Sequence, residues 1–171
     1  MRRQRTRQRP PDHNTRAGLT ESEMRQRVID LAFGSDAERL RAFCRAIQDG
    51  VPAGTAAVLR GSAVTGRRHN DGAPFDAAGP GTSDLDLTLV GNEIIRFYDA
   101  LTGFYIPGVH SKPLSEKDPD IAPDLRPLRR KLMLMAGRPV NIQGTRDWVM
   151  FLREHVMGQP YLTLLGKVES P

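Results

Sequence analysis

Residues 84–90, DLDLTLV, constrain the chain more than any other stretch. Leu85, Leu87 and Leu89 alternate with Asp84, Asp86 and Thr88. That period of two predicts a half-buried strand with its leucines turned inward. Aspartate is disfavoured in strands, and two on one face set like charges about 7 Å apart. A solvated sheet edge is one way to tolerate the pair. The other is a divalent cation shared by the carboxylates, whose hard oxygens suit magnesium. Asp-x-Asp recurs by chance in many chains, so the surroundings must decide.

Upstream, Ala56 to Arg60 is a short apolar run that predicts a strand, and it stops at Gly61-Ser62. Glycine lets a phosphate approach the backbone, and a serine hydroxyl with the amides that follow can donate to it. Gly-Ser after a strand is also an ordinary turn. The order strand, Gly-Ser, loop, Ser-Asp-x-Asp, strand nevertheless gathers phosphate donors and paired carboxylates in one neighbourhood. That is the chemistry of a site for a metal-bound triphosphate.

The rest of the chain reads as short alternating elements. Thr20-Glu21-Ser22-Glu23 is a capping box for a helix carrying Met24, Val28 and Leu31 on one face and ending at Gly34. Ser35-Asp36-Ala37-Glu38 starts a second helix, with Leu40, Phe43, Cys44 and Ile47 at helical spacing, closed by Gly50. Residues 67–82 have no period and predict a loop, as do residues 104–124 with their four prolines. Helices are predicted over 93–101, 125–136 and from Thr145, and a strand at Val140-Asn141-Ile142. Residues 161–167, YLTLLGK, fit strand or helix. The pattern predicts an α+β fold, a small mixed or antiparallel sheet flanked by helices, with the helices backing one side.

The chain has 171 residues, 39% of them apolar, enough for one domain over residues 19–171. Six arginines (2, 3, 5, 7, 9 and 16) against the single acid Asp12 put the whole net charge of +5 into residues 1–18. This arm predicts a disordered basic tail, or a segment that attracts nucleic-acid phosphates. No membrane span or secretory signal is expected, and one cysteine fits a cytoplasmic setting. Cys44 reads as core filler. His13, His69, His110 and His155 lack metal-ligand spacing, and His155 and Trp148 read as packed residues. Arg67, Arg68, the Arg129-Arg130-Lys131 run and Arg138 are phosphate-neutralising candidates, Arg138 the better one for lying beside Asn141.

VLRGSAVTG followed by SDLDLTLVG resembles the signature of the polymerase-beta-like nucleotidyltransferase superfamily, over residues 56–91 and more faintly to 142. The resemblance implies a sheet flanked by helices, Gly61 and Ser62 as triphosphate contacts, and Asp84 and Asp86 as catalytic metal ligands. It implies Mg²⁺ as cofactor, a nucleoside triphosphate such as ATP as substrate, and a nucleotidyltransferase activity releasing pyrophosphate. The acceptor hydroxyl is left open among RNA ends, proteins and small molecules, and either a partner chain or second copy, or the long loops and the basic tail, is expected to complete the site. Two departures stand out. The stretch HNDGAPFDAAGPG lengthens the gap between Gly-Ser and Asp-x-Asp. The family's third carboxylate falls where this chain has Asn141, with Asp147 or an acid of residues 116–124 as substitutes. Without that acid, the implied alternative is a catalytically impaired nucleotide-binding or nucleic-acid-binding relative. Residues 110–144 also resemble the tail of nucleotidyltransferase modules attached to bacterial polymorphic toxins, a subgroup in which asparagine at 141 would be normal.

Overall fold

The leucine side of the 84–90 segment decides where the core lies. In the computed structural model, which describes residues 18–168, β2 (Leu85–Val90) has Leu85, Leu87 and Leu89 fully buried. Burial contributes about 2 kcal/mol per leucine, while strand propensities span only about 1 kcal/mol, so the strand forms despite its aspartates. All but Gly18 of the predicted basic arm lies outside the described residues, and so does His13.

Two helices precede the sheet. In α1 (Glu21–Phe33) the Thr20 hydroxyl accepts from the Glu23 amide while the Glu23 carboxylate accepts from the Thr20 amide, the capping box predicted. Asp36 caps α2 (Ala37–Gly50), accepting from the Glu38 and Arg39 amides. Then come β1 (Ala56–Arg60), the single turn α3 (Ser62–Thr65) and β2. A short hairpin, β3 (Phe104–Ile106) and β4 (His110–Ser111), leads to α4 (Arg126–Ala136), β5 (Val140–Thr145), α5 (Trp148–Glu154) and β6 (Tyr161–Leu165). The sheet order is β3-β4-β5-β2-β1-β6, with β2 and β5 parallel and every other neighbouring pair antiparallel. The α+β class and mixed sheet are therefore as predicted.

Strand alternation separates two cores. Ala57, Leu59, the β2 leucines, Ile142 and Leu162 face α1, α2 and α4, where Met24, Phe43, Ile47 and Leu132 meet them. Val58 points the other way and packs with Trp148, Phe151, Leu152, Val156 and Tyr161. Helices thus cover both sides, correcting the expectation of one-sided backing.

Three further expectations need correction. Residues 93–101 form only a 3-10 turn, Ile94–Phe97. Asp99 accepts from the amides of Leu101 and Thr102, a local bond that competes with helix continuation, and the Tyr98 hydroxyl donates to the Ile142 carbonyl at 2.8 Å. Thr145 ends β5 instead of starting α5, whose N-cap is Asp147. The 104–124 segment contains the β3–β4 hairpin, a Leu114–Ile142 bridge and a 3-10 turn at Pro123–Leu125. The ambiguous YLTLL segment is the edge strand β6.

Candidate active site

Because β1 is antiparallel and β5 parallel to β2, the end of β1 meets the beginnings of β2 and β5 at one point. Register aligns Arg60 with Asp86 and Asp86 with Asn141. All three project to the side opposite the leucines. The Asn141 amide nitrogen donates to Asp84 Oδ2 at 2.6 Å and to Asp86 Oδ1 at 3.2 Å. The two carboxylates therefore converge across a shared donor.

Gly61 completes the corner. Its φ of 78° and ψ of −158° fall where residues with a side chain are strained. A Cβ there would stand 2.8 Å from Asp86 Oδ2. Glycine is thus required twice, by the turn and by the carboxylate against it. Ser62 follows as the first residue of α3, whose Val64 and Thr65 amides return to the Gly61 carbonyl and whose Ala63 and Val64 anchor it in the core. Gly61, Ser62, Asp84 and Asp86 are brought together as predicted.

They open on a cleft of about 720 Å³, within the range of small-molecule sites. One wall comes from the 67–83 loop through Arg68 and His69, the other from residues 113–117 through Ser115, Glu116 and Lys117. Burial pushes the Asp86 carboxyl above the usual range and the Asp84 charge adds to this, while the Arg60 charge and the Asn141 hydrogen bond oppose it. Asp84 is exposed and Asp86 half-buried.

Arg60 carries no local sequence signal that by itself marks it as a site residue. Its Nε donates to Thr88 Oγ1 at 3.1 Å and its Nη2 to Gln143 Oε1 at 2.7 Å, with the guanidinium 5.5 Å from the centre of the Phe151 ring. The signal was a charged residue closing an apolar strand just before Gly-Ser, which becomes legible only once the register with Asp86 is known. Gln143, the next outward residue of β5, passes the row on by donating to the Ser111 carbonyl.

Several candidates have other work. Arg138, its side chain almost wholly buried, forms a two-pronged ion pair with the partly exposed Asp76 at 2.9 and 3.1 Å and also donates to the Ser83 carbonyl. Burial alone would push the Asp76 carboxyl up, but Arg138 and the Ser83 and Gly81 amides outweigh it and hold it at about 2. Arg138 is therefore occupied as a structural cation. Arg129 donates to the Val140 carbonyl and Arg67 to that of Gly72. Asp147 is the α5 cap, its carboxylate accepting from the Met150 amide, and Asp120 pairs with Arg126. Of the acids in residues 116–124, Glu116 lines the cleft. His110 and His155 pack with Phe151, His110 also bonding Thr145, and Trp148 stacks on Phe151. Burial pushes the Cys44 thiol up, which fits a packing role.

Among the described residues, no group of three or more His, Cys, Asp or Glu side chains is placed to hold a metal ion. Magnesium commonly takes one or two carboxylates and completes its shell with water and substrate phosphates. Two convergent carboxylates and an adjacent amide fit a cation of that kind, not a closed structural metal site. No helix among the described residues is long and apolar enough to cross a membrane. Comparison of the chain with protein-family models, curated proteins and solved structures returns no match.

Proposed function

We propose that the chain is a Mg²⁺-dependent nucleotidyltransferase, with a nucleotidyltransferase-like core, acting on a nucleoside triphosphate, ATP first among them. One observation carries this reading: the strained Gly61 bend lies directly against Asp86, whose partner Asp84 converges with it at the mouth of the cleft. Asp84 and Asp86 would hold the cation, whose chemistry is to neutralise phosphate charge and orient oxygens for in-line displacement. The Gly61–Ser62 backbone and the Ser62 hydroxyl receive the triphosphate, and Lys117 in one cleft wall, with Arg68, which also pairs with Asp71, in the other, adds positive charge. An acceptor hydroxyl forms a new bond to the α-phosphorus and gives its proton to solvent, the α–β anhydride bond breaks, and pyrophosphate leaves. Preorganised charge and positioning supply most of the rate in such a transfer. The acceptor is a hydroxyl of RNA, protein or a small molecule, and a partner chain or second copy presents it. A cytoplasmic setting accords with the single free thiol.

Asp84→Asn and Asp86→Asn are each expected to abolish Mg²⁺-dependent transfer of label from α-labelled ATP while leaving the melting temperature nearly unchanged. Wild-type labelling in both variants rejects the site.

A second reading has its own support in Asn141, which faces Asp86 in register and cannot accept a proton. In that reading the chain binds nucleotide and regulates without catalysing. Calorimetric binding of NTP, with no pyrophosphate released for any acceptor class, favours it.

A further inference from the structure

The side chain that departs from the resembling family is the one that organises this corner. Asn141 lies in register with Asp86 and its Nδ2 reaches both carboxylates, at 2.6 and 3.2 Å. Two carboxylates this close on one strand face repel, and the partial burial of Asp86 sharpens the repulsion. An amide N–H is the neutral group that relieves it, since it offers donors without adding charge. Asn141 is itself held firmly. Its neighbours Val140 and Ile142 are fully buried in the first core, and Ile142 exchanges backbone bonds with Leu114 and accepts from the Tyr98 hydroxyl. The amide end is therefore aimed by the strand.

Resting on the metal-dependent reading above, we propose that Asn141 is a two-state ligand: its N–H end holds Asp84 and Asp86 together without metal, and its carbonyl end turns to the cation when nucleotide brings one. The two ends of a side-chain amide differ little in size, so turning the amide plane exchanges donor for acceptor with no backbone movement. The consequence is a site with two negative charges where an aspartate at 141 would make three. Such a site is assembled in advance yet draws free divalent cations weakly, and it is completed by the negative charge of a polyphosphate. The chain thereby avoids being occupied by cation alone and takes it together with its substrate.

The test uses the full chain, with Mn²⁺ as probe and thermal melting and calorimetry as readouts, none of which needs turnover. Asn141→Asp is expected to melt lower than wild type in chelator, because it adds a third charge and removes the donor. Mn²⁺ alone should restore it, binding roughly tenfold or more tightly than to wild type. Asn141→Leu, similar in size but without donor or acceptor, should also melt lower in chelator and should not be rescued by Mn²⁺. Wild type should respond weakly to Mn²⁺ alone and clearly to Mn²⁺ with a non-hydrolysable NTP. Equal Mn²⁺ affinity in wild type and Asn141→Asp overturns the inference, and so does an Asn141→Leu variant as stable in chelator as wild type. If NTP fails to bind at all, the nucleotidyltransferase reading fails while the metal-alone comparison still decides the role of Asn141. Equal Mn²⁺ responses beside intact pyrophosphate release would sink the inference and spare the enzyme.

Discussion

At Gly61 a φ of 78° coincides with a 2.8 Å approach between the position of a Cβ and Asp86 Oδ2. Gly61→Ala therefore meets backbone strain of about 1–3 kcal/mol and displaces the carboxylate on which the proposed site turns. We expect the variant to fold with a lowered melting temperature and to lose NTP binding by calorimetry. Ser62→Ala separates the two effects, because it removes a hydroxyl and leaves the bend intact. Its stability is expected to stay within about 0.5 kcal/mol of wild type while NTP affinity falls. Wild-type NTP affinity in Gly61→Ala would show that the bend does not contact substrate.

Among the larger pieces, the 67–83 loop carries the most consequence for the site. Phe75 is buried in the first core, Arg138 lies 4.5 Å over its ring, and Asp76 holds Arg138 together with the Gly81 and Ser83 amides. This foot fixes Ser83, and so Asp84, relative to the start of β5. The Asp76 carboxyl sits at about 2 against an ordinary 3.8, so its stabilising contribution is complete above the ordinary value and is lost as pH falls toward 2. The shift corresponds to about 2 kcal/mol. Urea unfolding at pH 7 and near pH 2.5 should show wild type losing more stability than Asp76→Asn over the same interval, by roughly two thirds of that amount. At pH 7 the variant should be weaker by about 3 kcal/mol, since Arg138 keeps its buried charge without a partner. Identical acid dependence in the two proteins would remove the ion pair from this role. The sequence offered no sign of the foot, because Phe75 and Asp76 sit in an aperiodic stretch and their partner is far along the chain. What it did offer was local: the caps at Thr20 and Asp36, the leucine alternation of β2, and the Gly61-Ser62 and Asp84-Asp86 pairs. The 93–101 segment misled because its apolar spacing fits a helix, whereas Asp99 and the Tyr98–Ile142 bond turn the chain. Arg60 and the bridging by Asn141 depend on strand register, which no local pattern encodes.

For the molecule as a whole, the two cores have unequal bearing on the site. The first binds α1, α2 and α4 to the inward side of the sheet, away from Asp86. The second holds α5 against the outward side, and its Phe151 lies under the Arg60 guanidinium that links Thr88 and Gln143 beside Asp86. Phe43→Ala and Phe151→Ala each empty a fully buried phenylalanine position and should each cost about 3–5 kcal/mol. Their effects on the cleft should differ. Well below both melting temperatures, where each variant is folded, Phe43→Ala should bind NTP as wild type does, because Phe43 packs on Phe33 in the inward core and is not itself a residue of the cleft wall. Phe151→Ala releases the ring face under Arg60, and NTP affinity should fall by roughly tenfold, a loss of about 1.4 kcal/mol. Calorimetry on the two variants, matched for fraction folded by circular dichroism, decides the matter. Equal affinities would mean that the outward core stabilises the sheet without shaping the site. A selective loss in Phe151→Ala would make α5 the element through which the fold sets the position of Arg60.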